Sequence, residues 1–247
     1  MIEYVKIIKN TEISRGIYEA EFELGSSGVQ IKPGQFINLY PNDKSLTLPR
    51  PIAVCDLNGN RLSIVYGVVG KGTKHFSALR EGERIKIMYP LGNGYSLGEE
   101  KNHVLVAGGP GIAPLLYLSK SLKGNVTLFA GFESQAYLTD RFNNVTPYIA
   151  TETGAEGERG TVCDILEKYD KGGDMYYVCG TAPMLKAVCR YLEKNGANAQ
   201  ISVESRMACG YGLCVCCAIK VKQGDSFNYL KACVDGPVFD YKEVLWD

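Results

Sequence analysis

The chain of 247 residues predicts a β plus α/β protein: an antiparallel six-stranded β-barrel, then a parallel-sheet α/β domain, then a small C-terminal cysteine region. Three observations predict it. Short segments rich in Ile, Val, Tyr and Phe, separated by Gly, Pro, Asn and Asp, fill the first hundred residues. From residue 102 strand-like runs alternate with helix-like ones, the pattern of a parallel sheet. Five of the nine cysteines then fall after residue 208. The expected boundaries are 1–99, 100–204 and 205–247.

The barrel strands are expected at 3–9, 17–24, 35–40, 51–55, 62–69 and 84–89. Lys32-Pro33-Gly34, Asn58-Gly59-Asn60 and Glu81-Gly82-Glu83 supply turn chemistry between them. Within this unit Leu48-Pro49-Arg50-Pro51-Ile52-Ala53 sets a guanidinium at a strand entry stiffened by two prolines, a mount for a phosphate or a flavin dipole. A solvated turn arginine is the competing reading. Gly70-Lys71-Gly72-Thr73 follows a strand and precedes a helix-like stretch, 74–79, and such a turn offers unpaired amides to a diphosphate.

In the second unit strands are expected at 103–107, 126–130, 147–150, 175–179 and 200–203. Helices are expected at 114–122, 161–169 and 183–195, with a short one near 135–142. Gly108-Gly109-Pro110-Gly111-Ile112-Ala113-Pro114 ends a buried strand and opens a helix. This is a dinucleotide-site pattern, though not the G-x-G-x-x-G fingerprint; a purely structural turn competes with it. Cys179-Gly180-Thr181-Ala182-Pro183-Met184 does the same at a later strand end. Glu133, just after the second strand, stands where an acid accepts from ribose hydroxyls and repels a 2′-phosphate, unless it is a solvated loop carboxylate.

The last unit carries C-x4-C-x2-C at Cys209, Cys214 and Cys217, with Cys233 after fifteen intervening residues, the spacing of plant-type 2Fe-2S ligation. Gly210 and Gly212 allow the backbone geometry such a loop needs. A structural zinc site is the main alternative, but its usual second C-x2-C knuckle is missing. A disulfide framework fits poorly with a chain lacking a secretory leader. Cys217 rather than Cys216 keeps the x2 spacing, and Cys216 is expected to face away as a small apolar filler. Residues 218–222 and 227–233 read as a hairpin returning the last cysteine to the loop. Trp246 is expected to pack on the chain's own surface or to meet another subunit.

Composition limits the partners. Lys+Arg and Asp+Glu are both 27, so no net field attracts nucleic acid. No apolar run is long enough to span a membrane, and a cytoplasmic location is expected. His75 and His103 are the only histidines and both read as structural; no nucleophile or metalloprotease signature is present.

The ordered set R-P-I-A, G-x-G-T, G-G-P-G-I-A-P-L and C-G-x-x-P-M resembles the ferredoxin-NADP reductase superfamily. With Met207-Ala208-Cys209-Gly210 and 233–239 added, the chain is similar to the electron-transfer subunits of NAD-linked, two-subunit dihydroorotate dehydrogenases. The resemblance spans nearly the whole chain. It implies that Arg50, Pro51, Ile52 and Ala53 line FAD, with Val65, Tyr66, Gly67, Gly72 and Thr73 continuing toward its diphosphate. Gly109, Gly111, Cys179, Gly180, Pro183 and Met184 would hold NAD, with Cys179 near the flavin and nicotinamide, and Cys209, Cys214, Cys217 and Cys233 the 2Fe-2S cluster. Relatives often carry a hydroxyl residue where Ala53 stands and an arginine where Gly67 stands, so backbone groups would take a larger share here. It further implies an FMN-containing catalytic subunit that oxidises dihydroorotate in pyrimidine biosynthesis, in a heterotetramer of two plus two, with electrons crossing the cluster to FAD and then NAD+. Two other readings fit the same residues: a diaphorase-like subunit of a hydrogenase or ferredoxin-linked NADP reductase complex, and a zinc-stabilised NAD-responsive binding module. Absorption by flavin and iron-sulfur separates the last from the others.

Overall fold

The computed structural model describes residues 1–26, 28–143 and 145–246. Six strands, β1 (Ile2–Ser14), β2 (Ile17–Glu23), β3 (Phe36–Tyr40), β4 (Arg50–Asn58), β5 (Arg61–Gly67) and β6 (Arg84–Leu91), close into an antiparallel barrel of order β1-β2-β5-β4-β3-β6. Closure removes the open edges that a sheet of this size would otherwise expose. Alternate residues point inward: Val5, Ile7, Phe22, Ile37, Leu39, Ile64, Ile85 and Ile87 form the barrel core. Helix α1 (Lys71–Ser77) plugs one end through Phe76, and Asn10 Nδ2 ties it down by donating to the Phe76 and Leu79 carbonyls.

Strands β7 (Asn102–Gly108), β8 (Asn125–Phe132), β9 (Val145–Thr151), β10 (Glu158–Arg159), β11 (Met175–Cys179) and β12 (Ala199–Ser202) form a parallel sheet of order β10-β9-β8-β7-β11-β12. Helix α2 (Ile112–Ser119) covers one face, and α3 (Val162–Tyr169) and α4 (Ala182–Lys194) the other. The face under α2 also packs against Cys55 and Val65 of the barrel, so the two units share a core. The chain crosses from β7 outward to β8 on one side and to β11 on the other. The crevice where the order reverses therefore lies between the ends of β7 and β11, where ligands of open α/β sheets bind.

Several boundaries differ from the sequence expectation. Helix α1 starts at Lys71 with Gly70 as its N-cap, so the glycine turn is the helix's own first turn. Helix α2 begins at Ile112 with Pro114 inside its first turn, where the missing N–H costs nothing. Only a 3₁₀ turn, Thr139–Arg141, forms where a short helix was expected. The hairpin is β13 (Ala218–Gln223) and β14 (Ser226–Lys231); then β15 (Val238–Asp240), unseen in the sequence, joins β12 antiparallel as the seventh strand of the main sheet. Trp246 packs beside the core that holds Cys189 and Val244. Among the described residues, no helix is long and apolar enough to cross a membrane.

Candidate cofactor sites

Arg50 and the glycine turn, twenty positions and more apart in sequence, meet. A Cβ on Gly72 would stand 2.4 Å from Arg50 Nε, so the guanidinium lies directly across that glycine. Arg50 Nη1 donates to the Leu48 carbonyl, which fixes the side chain against its own strand entry. Leu48 and Val69 flank this spot and are exposed, Val69 at 92%. An apolar rim around a positioned cation suits a planar, partly anionic group. The Thr73 hydroxyl accepts from the Val69 and Gly70 amides at 2.9 and 3.2 Å, so it caps α1 from within. Val65 and Tyr66 are buried, Tyr66 donating to Asn10 Oδ1 at 3.0 Å, so these two can offer a ligand only backbone groups. Gly67 has nothing closer than 3.6 Å to its absent Cβ and is not required there by space.

At the end of β7 the chain makes a 3₁₀ turn, Gly109–Gly111. Gly109 has φ +50, and only the Tyr137 hydroxyl, at 3.8 Å, lies near the Cβ it lacks. The floor of the crevice is tight instead: a Cβ on Gly111 would be 2.3 Å from the Cys179 carbonyl oxygen. Met184 fills the gap between the two strand ends, its sulfur 2.2 Å from the Cβ position of Gly108 and 2.3 Å from that of Gly180. Pro183 sits exposed in the first turn of α4. Burial pushes the Cys179 thiol up to about 12, with Ser202 opposing, so it stays neutral. Ser202 is its cross-strand partner, and Tyr95, fully enclosed, reaches the Val178 carbonyl at 3.3 Å. Tyr95 and Ser202 carried no sequence signal. Glu133 is exposed just past the end of β8. A cleft of about 400 Å³ between barrel and α2 shares no residue with these turns, and its charges, Glu19 with Arg141 and Asp56 with Lys120, are already paired.

The cysteines fall into two pairs. Cys209 N–H points to Cys214 Sγ at 3.5 Å and Cys214 N–H to Cys209 Sγ at 3.4 Å. Cys217 and Cys233 are both buried, in a small core with Phe36 and Ala232, and Cys233 interacts with both Cys217 and Cys209. Among the described residues, no three His, Cys, Asp or Glu side chains gather as a preformed site for a single metal ion. Gly210 and Gly212 take φ +75 and +94, and Val215 takes +58, which bends the loop around this spot. Desolvation opposes ionisation of Cys209, yet the amides of Tyr211, Cys214 and Leu213 outweigh it and lower the thiol to about 6. Burial and the neighbouring Cys217 push Cys233 up to about 12. Cys216 is exposed in the turn before β13 rather than packed as an apolar filler, a correction that follows from the strand starting at Ala218. All nine cysteines are free thiols. His103 is buried with Nε2 2.9 Å from the Lys123 carbonyl, a structural contact.

Across 243 residues, 98% of this chain and 97% of the relative, the chain is 39% identical to the dihydroorotate dehydrogenase B (NAD(+)), electron transfer subunit, of Caldanaerobacter subterraneus. The chain belongs to this family of electron transfer subunits. The family member from Clostridium acetobutylicum is 38% identical, covering 97% of this chain and 96% of its own length. Residues 204–245 match the iron-sulfur cluster binding domain of dihydroorotate dehydrogenase B. Among solved structures, one of an NADH-dependent reduced ferredoxin-NADP oxidoreductase superposes with a TM-score of 0.87 at 28% identity, covering 98% of this chain and 90% of that one. The ferredoxin NADP+ reductase of Neisseria gonorrhoeae, solved with FAD and NADP, shares the fold at a TM-score of 0.70 and 17% identity, covering 82% of this chain and 98% of that one.

Proposed function

We propose that this family member is an electron relay: it takes electrons from a catalytic subunit that oxidises dihydroorotate and delivers them to NAD+, through a 2Fe-2S cluster and FAD. The observation that carries the reading is the two cysteine pairs seated on the barrel's outer face beside the Arg50 strand. When bound, a flavin supplies the conversion between one-electron and hydride chemistry. The chain's own residues do the rest. Arg50 offers a positive charge fixed against its strand entry, Gly72 gives it room, and the first turn of α1 would receive a diphosphate. Pro51, Ile52 and Ala53 would line the flavin, with the backbone of Val65, Tyr66 and Gly67 and the capped turn at Thr73 beyond them.

The turns Gly109–Gly111 and Cys179–Met184 would seat the nicotinamide nucleotide, with Cys179 held neutral so that no charge opposes hydride delivery. Glu133 would select NAD over NADP; equal preference in wild type and Glu133→Ala would remove it from that role. Cys209 and Cys214 would bind one iron, Cys217 and Cys233 the other. Divisions at 1–99, 100–204 and 205–247 follow these three sites. The cysteine loop, 209–217, would depend on the cluster for much of its order, since Phe36, Cys217, Ala232 and Cys233 make a very small core there, whereas residues 238–246 pack on the main sheet. Reduced thiols agree with a cytoplasmic setting.

The partner would carry FMN and assemble as a heterotetramer of two plus two. A second reading, a relay in a ferredoxin-linked NADP reductase complex, is favoured by the 28% identity over 98% of this chain noted above. Anaerobic purification tests the first step: about one FAD, two iron and two labile sulfide per chain are expected, and colourless protein with stoichiometric zinc would refute the relay. Identifying the chain that co-purifies decides between the two clients.

A further inference from the structure

One fully buried polar side chain stands between the flavin strand and the cysteine loop. Asn38 lies in the middle of β3 with no exposed surface, and its neighbours Ile37 and Leu39 point into the barrel core. Alternation therefore turns Phe36, Asn38 and Tyr40 to the barrel's outer face. Phe36 meets Cys217 and Cys233 there. Asn38 Nδ2 donates to the Cys209 carbonyl at 2.9 Å. Gly210 packs on the same amide, close enough that a Cβ would stand 2.4 Å from Nδ2.

On its other side β3 pairs with β4 in the register Asn38 with Pro51 and Phe36 with Ala53. Cross-strand partners share a face, so Asn38 and Pro51 lie side by side on the outer surface of the barrel. A carbonyl only accepts, which fixes the amide nitrogen on the Cys209 carbonyl, while Oδ1 also lies against the loop, 2.8 Å from the Cβ that Gly210 lacks. That oxygen is buried without a hydrogen-bond partner among the described residues. Leaving a buried acceptor so is unfavourable, a cost that a leucine of similar size would avoid. Packing alone does not account for asparagine here.

We propose that Asn38 is a positioning residue for electron transfer between flavin and cluster: it pins Cys209 through its carbonyl against the β3–β4 pair and so sets their separation. The proposal rests on the reading that the chain holds both groups. Each transfer would carry one electron from reduced flavin to the cluster, so a flavin reduced by one hydride would give up two electrons in succession and, over the two transfers together, a single proton to solvent. The rate of such a step falls steeply with separation, so a loosened Cys209 slows it while leaving hydride transfer from NADH untouched.

The test is rapid-mixing reduction of the loaded full chain by NADH, following flavin and cluster absorbance separately, in wild type, Asn38→Leu and Asn38→Asp. Iron and FAD content and the cluster's reduction potential are measured on the same samples. Flavin reduction by NADH stays within about twofold of wild type, whereas flavin-to-cluster transfer in Asn38→Leu slows about tenfold or more. Asn38→Asp shows the same slowing and a lowered cluster potential, because a carboxylate cannot donate to the carbonyl and adds negative charge beside the sulfurs. Loss of iron with FAD retained supports the same anchoring role. If Asn38→Leu does not fold, Asn38→Asp, which keeps the size and exchanges the donor for a carboxylate oxygen, carries the test on the same criteria. Full iron content with wild-type transfer rate and potential in the folded variants overturns the proposal alone. Wild-type protein that holds no cluster overturns both it and the relay.

Discussion

The guanidinium of Arg50 lies across Gly72, whose missing Cβ would stand 2.4 Å from Nε and 2.5 Å from Cζ. Two weak motifs thus become one site: a charge carried on the entry of β4 and a bare backbone at the start of α1. Gly72→Ala has to push the arginine aside. FAD affinity is expected to fall by about tenfold or more, equivalent to roughly 1.4 kcal/mol, with iron content unchanged. Flavin fluorescence on dilution measures it, and unchanged FAD retention in Gly72→Ala would remove Arg50 from the flavin site.

The barrel and the α/β unit are clamped by Glu19, which is 5% exposed and receives Arg141 Nη2 at 3.1 Å and Lys9 Nζ at 2.6 Å. Desolvation raises its carboxyl, but the hydrogen bonds from Arg141 and Lys9 outweigh it and the net shift is downward from 4.5. A carboxyl held below its unfolded value contributes stability that is complete above that value and is lost as pH falls through the lowered one. Glu19→Gln is expected to cost about 1–3 kcal/mol at neutral pH. The gap between wild type and variant should narrow below pH 4.5, where protonation removes the same charge. Thermal unfolding of both proteins from neutral pH downward checks it; a gap that widens in acid would mean the clamp is not ionic.

Adjacent thiols differ sharply: Cys217 is 2% exposed beside Cys233, whereas Cys216 faces solvent. Cys216→Ser should keep cluster absorbance and cost little, within about 0.5 kcal/mol for a surface change. Cys217→Ser should lose the cluster and keep FAD, because the barrel site shares no ligand with it. Iron and flavin analysis of the two variants decides this, and iron lost from Cys216→Ser but kept in Cys217→Ser would reverse the assignment.

The barrel was legible because its strands alternate and its turns carry Gly, Pro and Asn. The switch to β7 and its glycine turn was legible for the same kind of local reason. What the sequence hid was non-local. Strand β15 is three residues long and finds its partner at 200–202, far back in the chain, so no local period marks it. Gly70 and Gly72 read as loop residues, yet tertiary packing by Phe76 draws them into α1. Asn38 was hidden among Ile37 and Leu39, although a residue type depleted in strands at the centre of one was a usable signal. Cys216 was misjudged because its turn ends before the strand alternation begins.

The relay's division of labour is tested most directly by electron flow in the isolated chain and in its complex with the catalytic subunit, both prepared without air. The isolated chain should oxidise NADH with an artificial acceptor and remain unreduced by dihydroorotate, because the sequence carries no recognisable motif for that proton abstraction and the buried His103 has its Nε2 against the Lys123 carbonyl. Adding the catalytic subunit should then let dihydroorotate reduce NAD+. Reduction of the isolated chain's own flavin by dihydroorotate, or a complex in which dihydroorotate never reduces NAD+, would contradict the account.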